Sequence, residues 1–247
     1  TSNGQAVLVG TPNVEVSAIE DVIIGCAMPE AEQGMNVARS AALLAGYPDS
    51  VPGMTINRFC CSGVQSIAIA ANQIASGDAD ILVAGGVESM SMVPMGGNKF
   101  TLNSKVFSDE NIGIAYGMGL TAEIVAKKWE ISPKAQLEFS ALSHEKAIAA
   151  IEAGFFEVEI IPFELIDKQP DLKTGKIRTK STLITNDEGA RADISIEKMA
   201  KLRSPFAVKS AVTAATTSQL SDGAGAVLLV SEKALSKYNL VPMAKFR

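Results

Sequence analysis

The stretch Val51-Pro52-Gly53-Met54-Thr55-Ile56-Asn57-Arg58-Phe59-Cys60-Cys61-Ser62-Gly63 reads as an extended segment entering a turn. The residues after it, Val64-Gln65-Ser66-Ile67-Ala68-Ile69-Ala70-Ala71-Asn72-Gln73-Ile74, read as a buried helix. A cysteine on a strand-to-helix turn has its sulfur near backbone N–H groups and the positive end of a helix dipole. Both favour thiolate over thiol, and the thiolate is the nucleophile. Small residues at Ser62 and Gly63 let a substrate approach the backbone. The turn suits covalent acyl transfer through sulfur. On these few residues alone, a buried structural cysteine in a tight turn fits as well.

Working outward, the helix ends at Ala75-Ser76-Gly77-Asp78-Ala79-Asp80 and a hydrophobic strand follows, Ile81-Leu82-Val83-Ala84-Gly85-Gly86, then Val87-Glu88-Ser89-Met90-Ser91. Upstream, residues 6–10 and 21–27 read as strands and residues 36–46 as a helix ending at glycine. Alternating strands and helices predict a layered α/β sheet. From about Met90 the texture changes. Residues 92–98 are loop-like, residues 120–129 and 133–153 read as amphipathic helices, and residues 156–163 alternate and look extended. Residues 167–191 are polar with no clear period. Ser221-Asp222-Gly223-Ala224-Gly225-Ala226-Val227-Leu228-Leu229-Val230-Ser231 then returns to a buried strand, with a helix over residues 232–238.

Composition narrows the class. The chain has 247 residues, 47% hydrophobic and 20% charged, which is ample for a soluble globular core in one or two domains. A net charge of -5 without a Lys/Arg block disfavours nucleic acid. Cys26, Cys60 and Cys61 are odd in number and two are adjacent, so they predict free thiols in a reducing compartment. No metal-ligand spacing appears, and His144 is the only histidine. No apolar run reaches the ~18 residues expected of a membrane span. The start, Thr1-Ser2-Asn3-Gly4-Gln5, carries no basic signal, which favours the cytoplasm unless processing has removed one.

The run from Asn57 to Ser91 resembles the nucleophile region of the thiolases, the 3-ketoacyl-CoA thiolase and acetyl-CoA acetyltransferase family. The resemblance maps the nucleophile to Cys60 and leaves Cys61 where the family usually has Gly or Ser. It implies a thiolase-like layered α/β/α fold with an inserted loop domain that binds coenzyme A. Residues 1–90 would form the first part of the N-terminal domain, 91–220 the insert, 221–240 the closing strand and helix, and 241–247 the start of a C-terminal domain. Family members carry a second, similarly folded domain with a histidine in Gly-His-Pro, a reactive cysteine in Cys-x-Gly and an asparagine that helps hold a catalytic water. Gly-His-Pro does not occur in this chain and its one Cys-x-Gly, Cys61-Ser62-Gly63, lies in the nucleophile turn itself, which implies a chain incomplete for turnover: a fragment, a longer protein represented in part, or one completed by a partner chain.

The same resemblance points to binding residues. Tyr116-Gly117-Met118-Gly119-Leu120-Thr121-Ala122-Glu123 is similar to the segment that sets a methionine against the acyl-pantetheine arm, a role for Met118. Arg191 falls near the adenine and phosphate end of coenzyme A, where a guanidinium suits a phosphorylated nucleotide. Leu202-Arg203-Ser204-Pro205-Phe206 offers Phe206 as an apolar contact. Val212-Thr213-Ala214-Ala215-Thr216-Thr217-Ser218-Gln219-Leu220-Ser221-Asp222-Gly223 offers Ser218 to pantetheine, with Thr216 for the usual Asn and Gln219 for a usual Gly. On local grounds Met118 and Phe206 are equally core residues, Arg191 a surface residue, and His144 a solvated helix residue.

The implied chemistry is acyl transfer that forms or cleaves 3-ketoacyl-CoA through a cysteine acyl-enzyme. Coenzyme A or acyl-CoA would be substrate, with no permanently bound cofactor and no metal. The expected partners are a second or further copies, as homodimer or homotetramer, with neither nucleic acid nor membrane. The alternative is a non-catalytic coenzyme A-binding or assembly protein derived from a thiolase. A ketosynthase is disfavoured by the cysteine context and by Gly85-Gly86-Val87-Glu88-Ser89-Met90-Ser91.

Overall fold

A computed structural model describes residues 13–208 and 210–247. The strand expected over residues 6–10 lies outside the described residues. The chain divides into two compact units, one drawing on Thr1–Leu102 and Leu220–Arg247 and the other on Asn103–Gln219.

The first unit is built on β1 (Asp21–Gly25), β2 (Gly53–Ile56), β3 (Ile81–Ser89) and β6 (Asp222–Val230). Their order is β2-β1-β3-β6, with β1 parallel to both neighbours and β6 antiparallel to β3. In β1, Val22-Ile23-Ile24 sends side chains alternately to opposite faces. Val22 joins Val14, Ile19, Ala42, Val51, Ile81 and Ala234 on one face; Ile23 joins Ala70, Leu82 and Ala84 on the other. Ala42 lies on α1 (Val37–Leu44), Ala234 on α6 (Glu232–Lys237) and Ala70 on α2 (Ser62–Ser76). Helices therefore cover both faces, giving the α/β/α layering, and a strand buried on both faces needs the continuous apolar run that β1 carries. Ile23 and Leu82 are fully buried, each contributing about 1.5–3 kcal/mol by leaving water.

Local chemistry sets the helix ends. Asn36 caps α1 by accepting from Arg39 N–H at 3.3 Å, and Gly46 leaves the helix at φ 85°. Gly77 ends α2 at φ 82°. At the return to the sheet, Ser231 accepts from Ala234 N–H at 3.1 Å and donates to Asp80 at 2.6 Å. Asp222 starts β6 and accepts from Ser91 N–H at 2.9 Å, tying that strand to the segment after β3. The helix after the cysteine turn differs from expectation in one respect. Only Ser62, Ser66 and Ala70 are fully buried along α2, and Val64 is 69% exposed, because one face alone meets the sheet.

The second unit holds α3 (Met118–Lys128), α4 (Pro133–Glu152), the hairpin of β4 (Phe163–Asp171) and β5 (Lys176–Ile184), and α5 (Ile196–Met199). Ser132 caps α4 and Pro133 opens it, each at the position its chemistry favours. Two expectations need correction. Residues 156–160 are not extended: Gly154 turns left-handed at φ 73°, and Glu159 and Ile160 N–H both bond back to Phe156 O, so the extended stretch starts at Phe163. Residues 167–184 are not irregular but belong to the hairpin, whose period is invisible because nearly every side chain is exposed on both faces. Its turn closes on Asp171, which accepts from Lys173 N–H at 2.9 Å and pairs with Arg178 at 2.7 Å.

Candidate active site

Cys60 lies one residue before Cys61, the N-cap of α2, at the exit of β2. The helix is seated on the sheet by an absence of side chains. A Cβ on Gly25 would sit 2.4 Å from the Ser62 carbonyl carbon and 2.6 Å from Gly63 N, so only glycine lets α2 approach β1 this closely. Ser66, fully buried, donates between Gly63 O and Gly85 O, each at 2.7 Å, and locks the helix to β3. A Cβ at Gly63 would meet nothing within 4 Å, so the backbone beside the cysteines faces open space.

The turn itself is strained. Phe59 adopts φ 49°, a region that side chains other than Gly, Asn and Asp avoid, at a cost of about 1–3 kcal/mol. Three side-chain hydrogen bonds hold it. Asn57 Oδ1 accepts from Phe59 N–H at 2.8 Å, Ser62 Oγ accepts from Arg58 N–H at 2.8 Å, and Ser62 Oγ donates to Phe59 O at 2.6 Å.

The three free cysteines differ in setting. Cys26 is buried, and its thiol is pushed up first by that burial and then by the Glu88 carboxylate. It stays protonated and inert. Cys61 is exposed, but its sulfur is 3.1 Å from Arg58 O, donating into the turn. Cys60 is exposed, with no side-chain hydrogen bond among the described residues.

The coenzyme A candidates all lie in the second unit and fall in two groups. Met118 opens α3 and is 60% exposed; next to it, a Cβ on Gly119 would lie 2.1 Å from the Phe206 ring, so Phe206 packs directly on this glycine. One turn along α3, Glu123 accepts from Val212 N–H at 2.6 Å and from the Ser210 hydroxyl, fastening the segment after Phe206. The second group joins Arg191 and Ser218 through their neighbours: a Cβ on Gly189 would meet Gln219 Nε2 at 2.0 Å. Arg191 is exposed and forked onto Asp193 at 3.0 and 2.8 Å, which raises the guanidinium further and holds the Asp193 carboxyl below its ordinary value.

One reading changes here: His144 is not simply solvated, since its Nδ1 accepts from Arg191 N–H at 3.1 Å. Thr216, in place of the usual Asn, and Gln219 have no positive φ, and the Thr216 hydroxyl accepts from Thr213 N–H at 2.9 Å, capping the turn before Ser218.

The residues that sequence reasoning missed are Asn57, Glu88, Gln33, Ser66 and Gly25. Glu88 accepts from Ala27 N–H at 2.7 Å, Met28 N–H at 3.2 Å and Gln33 Nε2 at 2.8 Å. The available signal was the polar pair Glu88-Ser89 ending an otherwise apolar strand. No group of three His, Cys, Asp or Glu able to hold a metal occurs among the described residues, and no helix among them is long and apolar enough to cross a membrane.

The thiolase N-terminal domain family matches residues 2–233. A 3-ketoacyl-CoA thiolase of Bacillus subtilis is 43% identical over 93% of this chain and 58% of that protein. A steroid 3-ketoacyl-CoA thiolase of Mycobacterium tuberculosis is 39% identical over 96% of this chain and 57% of that protein. Among solved structures, an acetyl-CoA acetyltransferase of Bacillus anthracis superposes with a TM-score of 0.76 at 34% identity, covering 94% of this chain and 58% of that one. The chain thus spans somewhat under two thirds of the length of these relatives. With its matched region running through the cysteine turn, both units and the closing strand, the chain belongs to the thiolase family.

Proposed function

We propose that this chain provides the acyl-accepting cysteine and the coenzyme A-contacting residues of an acyl-CoA acyltransferase that forms or cleaves 3-ketoacyl-CoA. The observation that carries the reading is Cys60: an exposed thiol at the mouth of α2, beside an open Gly63 backbone and after a strained residue. Its thiolate attacks the thioester carbonyl, forming a Cys60 Sγ–acyl carbon bond. The tetrahedral intermediate collapses with cleavage of the carbon–sulfur bond to coenzyme A, whose thiolate leaves and takes up a proton. Ser62 N–H is engaged with Phe59 O at 3.0 Å, so the oxyanion donors that α2 offers are the next amides, Gly63 and Val64, which have no backbone acceptor among the described residues. A second thiol or a carbon nucleophile then takes the acyl group.

Met118 and Phe206 supply apolar surface for the pantetheine arm, Ser218 a hydroxyl donor, and Arg191 a cation for the nucleotide phosphates. Acyl-CoA is substrate and no permanently bound cofactor is required. Homodimers or homotetramers in the cytoplasm fit the apolar side chains left in water on the first unit, among them Phe59 at 66% and Val64 at 69% exposure. Incubation with acetyl-CoA followed by intact-mass and peptide mapping tests the chemistry. One acetyl group on Cys60, absent in Cys60→Ala, is expected. Binding of acetyl-CoA without acylation of Cys60 would instead support the non-catalytic reading.

A further inference from the structure

We propose that Asn57 is a positioning residue for Cys60, anchored across the sheet by the Glu88 carboxylate. The inference rests on Cys60 being the nucleophile. Phe59 is 66% exposed, so packing does not hold its left-handed backbone, and phenylalanine has no polar group to compensate. Something else must keep the residue before Cys60 in place. Asn57 spends both ends of its carboxamide on this. Oδ1 accepts from Phe59 N–H at 2.8 Å, and Nδ2 donates to Ala27 O at 3.0 Å, thirty residues away in sequence.

Ala27 is in turn immobilised. Its N–H donates to Glu88 Oε2 at 2.7 Å, while Oε1 accepts from Met28 N–H at 3.2 Å and Gln33 Nε2 at 2.8 Å. Gln33, 3% exposed, also donates to Met28 O at 3.0 Å and accepts from Ser89 N–H. Bonds to a carboxylate are roughly twice as strong as neutral ones, so the Ala27–Met28 backbone forms a stiff shelf. None of these groups hydrogen-bonds the Cys60 side chain among the described residues. They act on the backbone that aims it, Asn57 from within the turn and Glu88 from the end of β3.

The test compares alkylation of Cys60 with that of Cys61 in the same molecule, under brief, sub-stoichiometric iodoacetamide, mapped by tandem mass spectrometry. Wild type should favour Cys60. Asn57→Ala should slow Cys60 about tenfold, a fraction of what a 1 Å displacement can cost a reacting group, with Cys61 within twofold. Glu88→Gln, which keeps one acceptor oxygen, should slow Cys60 less than Asn57→Ala does. Urea midpoints are recorded in parallel, and the change in the Cys60:Cys61 ratio should exceed anything the midpoints explain. An unchanged ratio in Asn57→Ala, or a joint rise of both cysteines as the turn melts, overturns the inference while leaving acyl transfer at Cys60 intact. Acetyl-CoA mapping in wild type separates the two readings: acylation at Cys61, or none, removes Cys60 as nucleophile and this inference with it.

Discussion

Replacing Gly25 with alanine should damage the fold and the candidate site together, because one close approach serves both. The added Cβ would stand 2.4 Å from the Ser62 carbonyl carbon, where ordinary contact begins at 3.4 Å, a shortfall of about 1 Å. Gly63 N and Ser62 Cβ, both at 2.6 Å, block the neighbouring directions. The obstructing atoms are the first turn of α2, so no rotamer change relieves them. Overpacking typically costs 1–3 kcal/mol, and a backbone obstacle places this variant at about 3 kcal/mol. The helix must lift by about that 1 Å, carrying the cysteine turn with it. A displacement of that size can cost ~100-fold in a positioned reaction. Urea denaturation should show the lowered midpoint, and acetyl-CoA mapping the slowed acylation of Cys60. Gly63→Ala is the matched control. Its Cβ meets nothing within 4 Å, so stability should hold or rise by up to about 0.5–1 kcal/mol. If Gly25→Ala loses under about 0.5 kcal/mol and acylates within twofold of wild type, the glycine contact does not seat the helix.

Ser66→Ala should cost about 1 kcal/mol in urea denaturation, since a buried hydroxyl bonded to two carbonyls disappears. Glu123→Ala strips the acceptor from Val212 N–H and the Ser210 hydroxyl, so chymotryptic cleavage after Phe206 should accelerate about tenfold, as expected for a local loss near 1.4 kcal/mol. Lys233→Met should lower the thermal midpoint near neutral pH but not in strong acid. Asp80 is held below the ordinary 3.8, first by Lys233 and then by the Ser231 hydroxyl, so its contribution is full above that value and is lost as pH falls through the lowered one. Lys233 is correspondingly raised above 10.5, which carries the difference into the alkaline range until that proton leaves. A midpoint gap that persists unchanged at low pH would show that the pair is not its source.

What could be read in the sequence was what sequence neighbours determine. The Val22-Ile23-Ile24 run announces a strand, and the structure shows it sending side chains into a cluster on each face. The cysteine turn is announced by Ser62-Gly63 after Cys60-Cys61, and α2 begins there. The hairpin of β4 and β5 stayed hidden for a physical reason. Exposure on both faces removes the alternation that marks a strand, and Pro170 within β4 argues against a strand there, leaving Asp171 and Gly175 to mark the turn. The support of the turn stayed hidden for another. Glu88 reaches Ala27 across 61 residues, and Asn57 reaches the same residue across 30, so neither bond has a local signature. The proposed nucleophile is legible from its neighbours, whereas the bonds proposed to aim it arrive from Ala27 and Glu88, distant in sequence. Phe59 shows why those bonds are needed. A turn with no function could carry glycine at φ 49° and shed the strain, whereas this one keeps a phenylalanine there and spends Asn57 and Ser62 to hold it. Strain held in place directly before an exposed thiol, by bonds that lead back to the buried Gln33 and the half-buried Glu88, is what the proposed role of Cys60 as a pre-aimed nucleophile requires.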